Sequence, residues 1–185
     1  MARHHVLITA IALLAPAPAI AGVTVVGGNS ARQCYAAAES RSSPRRSDME
    51  ACDEALAGAS VLIPADIVAT HVNRGILHLR SGRIDQAMSD FDRAMALDPD
   101  QPETYLNRGS ALLKRDDTAN ALSMFDRAIQ RHTRRPELAY YGRGIANEAL
   151  GHLRAAYQDY RRASELAPRW REPRTELRRF RVVSN

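Results

Sequence analysis

The sequence predicts an all-α protein built from stacked pairs of antiparallel helices. Three segments share one phrase, HVNRGIL at 71–77, YLNRGSA at 105–111 and YYGRGIA at 140–146. Each is followed by a second shared phrase, SDFDRAMAL at 89–97, SMFDRAIQR at 123–131 and QDYRRASEL at 158–166. The period is 34 residues and then 35 residues. Repetition at this period is typical of stacked supersecondary units.

The first 21 residues have the features of a secretory signal peptide. A basic start precedes an apolar run from Val6 to Ala21, and Ala19 and Ala21 form an A-x-A site. We therefore expect cleavage after Ala21 and a periplasmic or secreted protein. Two prolines interrupt the run, which is short for a membrane-spanning helix. An uncleaved anchor is the less favoured alternative, and no transmembrane segment is expected in the mature chain.

Between the signal peptide and the repeats, we expect an extended leader at 22–29 and a helical hairpin at 30–67. A polar loop at 40–47 separates the two helices of the hairpin, and one cysteine lies on each helix, Cys34 and Cys52. In an oxidising compartment two cysteines normally pair, so we expect a disulfide between them. A metal pair and a redox dithiol are weaker alternatives, because the spacing of 18 residues is not C-x-x-C.

Each repeat unit is expected to form two helices. The first helices should span about 66–80, 102–114 and 137–150, and the second helices about 84–97, 118–131 and 153–166. Alanine, an aromatic residue and alanine recur at i, i+4 and i+7 on one face of each second helix. A glycine recurs within each first helix, where it costs up to about 1 kcal/mol relative to alanine. Its recurrence indicates close contact with the paired second helix.

These recurring positions resemble the tetratricopeptide repeat. The matching residues are Gly75, Ala87, Phe91, Ala94, Pro99, Gly109, Ala121, Phe125, Ala128, Gly144, Ala156, Tyr160, Ala163 and Pro168. The second unit departs from the pattern, with Thr133 at the position of the final proline. The resemblance implies a right-handed superhelical stack, an α-solenoid, with repeats at 68–101, 102–136 and 137–170.

The stack is expected to be closed at both ends. The N-terminal hairpin covers one end, and a C-terminal segment at 171–185 supplies a capping helix near 171–181 for the other. The end of a solenoid needs such a helix, because the last repeat would otherwise expose its apolar face.

The resemblance also implies that the first helices line a groove for a peptide or protein segment. The groove positions correspond to Val72, Ile76, Leu79, Leu106, Asn107, Ser110, Leu113, Leu138, Tyr141, Ile145 and Glu148. Alternatively, several of them pack against a neighbouring repeat or the hairpin. One variant of the family clamps a peptide's terminal carboxylate with Lys, Asn and Arg. Those positions here are Val72, Ile76, Asn107, Leu138 and Gly142, of which only Asn107 matches.

Arginine supplies nearly all the positive charge of this chain, whose net charge is +5. Arg74, Arg108 and Arg143 recur at one repeat position. A row of arginines could bind an acidic ligand. We favour pairing with acids on neighbouring helices, such as Asp90, Asp92, Asp126 and Asp159.

The sequence contains no G-x-S-x-G, P-loop or H-E-x-x-H motif, so we expect no catalytic residues, no metal site and no cofactor. Export argues against nucleic acid as a partner. The expected function is a non-catalytic protein–protein interaction module or scaffold of the bacterial cell envelope. The alternative is an arginine-rich binder of an anionic envelope polymer or lipid head group, with 169–181 as its surface. The identity of the partner and the oligomeric state stay open.

Overall fold

The computed structural model describes residues 5–8, 21–40, 42–59 and 62–183. Within these ranges the chain forms nine helices and two short strands. The helices are α1 (Asn29–Glu39), α2 (Arg46–Ala57), α3 (Pro64–Arg80), α4 (Ile84–Leu97), α5 (Pro102–Lys114), α6 (Thr118–Gln130), α7 (Pro136–Ala149), α8 (Leu153–Leu166) and α9 (Glu172–Leu177). The strands are β1 (His5–Ile8) and β2 (Phe180–Val183). The predicted all-α class is confirmed, with this strand pair as an addition.

The three repeats are the helix pairs α3–α4, α5–α6 and α7–α8, and each pair also contacts the next. Their bounds lie within two residues of those expected from the sequence. The turn inside each pair places one residue at positive φ, namely Gly82, Asp116 and Gly151, with φ of 74°, 59° and 79°. Glycine adopts this conformation without steric cost, which explains its use in two of the three turns.

The recurring aromatic residue of each second helix fills the space above the recurring glycine of the first. Phe91 and Phe125 have no exposed surface, and Tyr160 is 1% exposed. A Cβ atom added at Gly75 would lie 2.5 Å from the ring of Phe91. The corresponding distances are 2.9 Å between Gly109 and Phe125 and 2.7 Å between Gly144 and Tyr160. A larger residue at any of these glycines would therefore push the paired helices apart.

The N-terminal hairpin consists of α1 and α2, both of which contact α3. Cys34 and Cys52 form the expected disulfide, with a Cα–Cα distance of 4.9 Å. Both cysteines are completely buried. The bridge joins two helices whose buried surface consists mostly of small residues, Ala31, Ala38, Ala51 and Ala55, so it stabilises a hairpin with little apolar core of its own.

The C-terminal segment differs from the expectation, because α9 ends at Leu177 rather than near 181. Beyond it, β2 pairs antiparallel with β1, with Phe180 opposite Ile8. The physical reason lies in two anchors. Arg179 forms ion pairs with Glu148 and Glu176, and the Phe180 ring packs 5.9 Å from Tyr160, centroid to centroid. Together they hold the chain against α7 and α8, whereas a continuing helix would carry Phe180 away.

The extended segment expected at 22–29 is observed at 21–28, directly before α1, and "the leader" denotes residues 21–28 below. Most of the predicted signal peptide lies outside the described residues; within it the structure describes only β1 and Ala21. No helix in the described ranges is both long enough and apolar enough to cross a membrane.

Candidate functional site: a groove filled by the leader

The leader lies on the surface formed by the first helices α3 and α5, which is the predicted groove. Its contacts join residues far apart in the chain: Val23 bonds to Asn73, 50 residues away, and Ala21 bonds to Asn107, 86 residues away. The apolar cluster of the repeats includes Ala21, Val23 and Val25. The groove is therefore occupied by a segment of the same chain.

Two asparagines, one repeat apart, hold the main chain of the leader. The Asn73 side chain accepts a hydrogen bond from the Val23 amide at 2.8 Å and donates one to the Val23 carbonyl at 2.7 Å. Asn107 accepts from the Ala21 amide at 3.3 Å and donates to the Ala21 carbonyl at 2.8 Å. Both asparagines are completely buried. Each amide thus supplies the donor and acceptor that a neighbouring β-strand would supply.

The spacing of these contacts fits an extended segment. The two clamped residues, Ala21 and Val23, are two positions apart, so they face the same way in an extended chain. From Val23 onward burial alternates: Val23 and Val25 are buried, whereas Thr24 and Val26 are exposed. One face of the leader therefore packs on the repeats and the other faces solvent.

Charged side chains hold further parts of the leader. Glu39 accepts a hydrogen bond from the Gly22 amide at 2.7 Å, and Asp66 accepts one from the Val26 amide at 2.9 Å. Arg134 donates to the Gly22 carbonyl and to the Thr24 hydroxyl, both at 3.0 Å. The Arg134 main-chain N–H and Nε also donate to the buried Glu103 carboxylate, at 2.9 Å and 3.4 Å. The guanidinium is thus anchored beside the second repeat while it holds the leader.

The structure places the eleven predicted groove residues at two levels of burial. Those that are fully buried are Val72, Ile76, Leu79, Leu106, Asn107, Ser110, Leu138 and Tyr141. Leu113, Ile145 and Glu148 are partly exposed. Val72, Ile76 and Leu106 belong to the same apolar cluster as the leader. Glu148 instead bonds to Arg179 and accepts from the Tyr160 hydroxyl at 2.8 Å, so it is part of the C-terminal contacts.

Sequence reasoning missed four residues that hold the leader: Glu39, Asp66, Asn73 and Arg134. For Asn73 a signal existed, because it occupies the same repeat position as Asn107. The third repeat has Gly142 at that position, where an added Cβ atom would lie 2.4 Å from the Phe125 ring. The series of asparagine clamps therefore stops after two repeats.

The recurring arginines pair with acids, as the favoured interpretation expected. Arg74 donates two hydrogen bonds to Asp90, at 2.9 Å and 2.7 Å, and one to Asp53 at 2.8 Å. Arg143 makes the equivalent contacts with Asp159 and Asp126. Each of these arginines links its own second helix to the preceding helix pair, and neither is available as a ligand for an acidic partner.

Arg108 makes fewer ionic contacts than its counterparts. It forms an ion pair with Asp92 at 3.0 Å. On the second helix of its own repeat, however, its contact is the sulfur of Met124, 3.5 Å from Nη1, and not a carboxylate. The hydrogen bonds that Arg74 donates to the Asp90 carboxylate raise the pKa of Arg74. Burial opposes the charge of Arg143, but hydrogen bonds to Asp159 and Asp126 raise its pKa overall.

The two histidines of α3 lie beside the same buried carboxylate. His71 Nδ1 is 3.0 Å from Asp90 Oδ1, and His78 Nε2 is 3.8 Å from Oδ2. Burial lowers the pKa of His78. Burial acts to raise the pKa of Asp90, but hydrogen bonds from His71 and Arg74 lower it overall. Among the described residues, no group of three or more His, Cys, Asp or Glu side chains is placed to hold a metal ion.

A family model for the tetratricopeptide repeat matches residues 72–136 and 106–169. The chain is a tetratricopeptide-repeat protein. This assignment accounts for the glycine–aromatic contacts of the three helix pairs. Comparison with curated proteins finds no match.

Several solved structures are similar to this chain. The first repeat domain of Spaghetti (RPAP3), bound to the HSP90 peptide SRMEEVD, is 32% identical with a TM-score of 0.57; the match covers 60% of this chain and 88% of that one. The first repeat domain of human RPAP3 is also 32% identical, with a TM-score of 0.58 and coverage of 63% and 90%. MamA is 21% identical with a TM-score of 0.60 and coverage of 71% and 73%, a likeness of fold alone.

Proposed function

We propose that this protein is a non-catalytic interaction module of the bacterial cell envelope that binds extended peptide segments in the groove of α3, α5 and α7. The observation that carries the proposal is the pair of asparagine clamps. The hydrogen bonds of Asn73 and Asn107 to the leader all go to main-chain N–H and C=O groups. Contacts of this kind bind any segment that adopts the same extended conformation, with selectivity left to the side chains.

The groove favours small or β-branched apolar residues at alternate positions. Its present occupant places Ala21, Val23 and Val25 against the repeats, each less than 10% exposed (2%, 7% and 5%). The repeat domain of Spaghetti binds a peptide ending in EEVD. In this chain the carboxylate-clamp positions Val72, Ile76 and Leu138 are apolar and buried, which favours an apolar segment over an acidic terminus.

A partner segment that binds the Asn73 clamp must displace the leader, because Val23 occupies that clamp. A tethered competitor has an effective concentration of about millimolar for a short flexible connection. The leader joins α1 directly, so its competition is strong, and a partner binds measurably only when it contacts more of the groove than the leader does.

Two observations support the cell envelope as the location. The first 21 residues read as a signal peptide that ends in an A-x-A site. The described chain holds its cysteines in a disulfide, a bond that persists in oxidising compartments.

The test measures peptide binding to an intact chain whose leader is disabled. Val23→Asp with Val25→Asp places two carboxylates on the buried face and should undock the leader without altering the groove. An acetylated, fluorescein-labelled peptide of sequence AGVTVVGG is titrated by fluorescence anisotropy. We expect saturable binding to this variant and at least about 10-fold weaker binding to the unchanged chain.

Two controls make the test specific. Val26→Asp changes an exposed residue, 78% accessible, and should bind as weakly as the unchanged chain. Adding Asn73→Leu to the leader-disabled variant should reduce binding by about 10-fold or more, because two hydrogen bonds are lost. The proposal would be overturned if the peptide did not bind the leader-disabled variant, or if Asn73→Leu left the affinity of that variant unchanged.

A second candidate function follows from the arginines at the C-terminal end. Arg171, Arg174 and Arg178 line a cavity of about 470 Å³ together with Thr175. None of these three forms an ion pair with another described residue. Such a surface favours an anionic polymer or lipid head group. Binding to phosphatidylglycerol vesicles should fall steeply with rising salt and disappear when the three arginines are replaced by Gln. Salt-resistant binding, or no binding, would exclude this second function.

A further inference from the structure

The carboxylate of Glu39 lacks a cationic partner within the described chain. Glu39 is the last residue of α1, where the helix dipole disfavours a negative charge. Arg80 is close to this end of the helix, but its guanidinium donates to the main-chain carbonyls of Ala37 and Ala38. The contact that Glu39 does make is with the main-chain nitrogen of Gly22, at 2.7 Å.

The same nitrogen is the one that signal-peptide cleavage would release. The A-x-A site at 19–21 predicts hydrolysis of the bond between Ala21 and Gly22. Water adds across that peptide bond, Ala21 leaves with the new carboxylate, and Gly22 keeps the new amine. At neutral pH an α-amine is mostly protonated. The predicted cleavage therefore places a positive charge beside the Glu39 carboxylate.

We propose that Glu39 binds the α-ammonium group of Gly22 in the processed chain and so fixes the mature N-terminus in the groove. This inference rests on the proposed docking of the leader and on cleavage after Ala21. The bond from the Gly22 amide to the Glu39 carboxylate is charge-assisted before cleavage, and the new α-ammonium adds attraction between two opposite charges. Removal of the signal peptide thereby strengthens the contact that holds Gly22.

The surroundings of Gly22 form a site that accepts glycine. A Cβ atom at this position would lie 2.6 Å from Glu39 Oε1 and 3.2 Å from Asn73 Oδ1. Arg134 donates to the Gly22 carbonyl at 3.0 Å. The charged groups around the amine are therefore Glu39 and Arg134, with Arg134 bonded to Glu103 on its other side. A side chain at the first residue would force the Glu39 carboxylate away from the amine.

Cleavage at this bond also changes the second clamp. Asn107 binds both the N–H and the C=O of Ala21, and Ala21 leaves with the signal peptide. Asn107 retains its bond to the Glu103 carbonyl, at 2.9 Å. The processed chain therefore keeps the Asn73 clamp occupied by its own Val23 and presents the Asn107 clamp to a partner.

The chain offers a clean test because it contains one lysine, Lys114. After cleavage only two amines exist, the α-amine of Gly22 and the ε-amine of Lys114, which serves as the internal standard. The protein is expressed with its own signal sequence in an exporting bacterium, purified and treated briefly with an amine-acylating reagent near neutral pH. Mass spectrometry of its peptides gives the labelling ratio of the two amines.

We expect the N-terminal residue to be Gly22 and its amine to be protected. Glu39→Gln should raise the ratio of Gly22 to Lys114 labelling by about 10-fold. The matched control Glu50→Gln removes an exposed carboxylate on α2 that pairs with Arg46, and should leave the ratio unchanged. A different N-terminus, or equal labelling in Glu39→Gln and the unchanged chain, would overturn the inference. Binding of the acetylated peptide does not involve this amine, so failure here and failure of the proposed function are distinguishable.

Discussion

Replacing Asn73 with leucine should release the leader while leaving the repeats folded. The substitution keeps the branching and the number of heavy atoms of the side chain but removes the hydrogen bonds of 2.8 Å and 2.7 Å to Val23. Asn73 has no exposed surface, so the Val23 N–H and C=O would stay unpaired if the leader remained docked. Leaving a buried polar group unpaired costs about 1–3 kcal/mol. Two such groups make docking less favourable by about 2–6 kcal/mol.

Hydrogen exchange measures this change directly. Every 1.4 kcal/mol corresponds to a factor of ten, so exchange of the Val23 amide should accelerate by about 30-fold or more. Amides in the middle of α5 and α6 should keep their protection, because the mutation disturbs the leader and not the pairing of these helices. The comparison separates undocking from global unfolding.

A matched control is available in Asn120→Leu. The Asn120 side chain also makes two hydrogen bonds, both to Asp117, at 3.0 Å and 2.8 Å, but in an exposed position. Exposed substitutions of this kind are usually worth less than about 0.5 kcal/mol, so leader exchange should be unchanged. If Asn73→Leu exchanged at Val23 as slowly as the control, the clamp would not hold the leader.

Three further predictions concern the stack and its hairpin. Ala121→Leu should lower the free energy of unfolding in urea by about 1–3 kcal/mol, because this alanine has no exposed surface and the added atoms overpack the interface of α6. An unchanged urea midpoint would contradict the predicted repeat register. Reducing the Cys34–Cys52 disulfide, whose cysteines are 18 residues apart, should lower the free energy of unfolding by about 3 kcal/mol. An equal urea midpoint with and without reductant would contradict its stabilising role. Asp90→Asn should destabilise the protein at pH 7, and this effect should decline as the pH falls below about 4. The folded pKa of Asp90 is lowered, so its contribution is fully present above the unfolded pKa and is lost as pH falls through the folded one. A difference in melting temperature between the two proteins that stayed constant from pH 5 to pH 3 would refute this.

Local pattern was sufficient to predict the repeats. The glycine, alanine and aromatic positions determine how each helix pair packs, and they recur three times, so the six helices of the repeats were predictable to within two residues. The pairing of Arg74 and Arg143 with acids was predictable for a related reason, since both partners occupy fixed positions on adjacent helices.

The occupant of the groove could not be predicted in the same way. The leader is held mainly through main-chain groups, which every sequence possesses, so its residues carry no distinctive signal. Its partners Asn73 and Asn107 lie 50 and 86 residues away, beyond any local pattern. The C-terminal strand escaped prediction for a similar reason, because the contacts that end α9 come from Glu148 and Tyr160 on other helices.

Nuclear magnetic resonance on the isotope-labelled intact chain tests the central claim most directly. The claim is that side-chain amides of adjacent repeats bind the main chain of an extended segment. The Asn73 side-chain NH₂ group, whose nitrogen is 2.7 Å from the Val23 carbonyl oxygen, should give nuclear Overhauser contacts to residues 23 and 24. Its protons should also exchange slowly. Random-coil shifts for the leader, with no contact to Asn73, would contradict the claim.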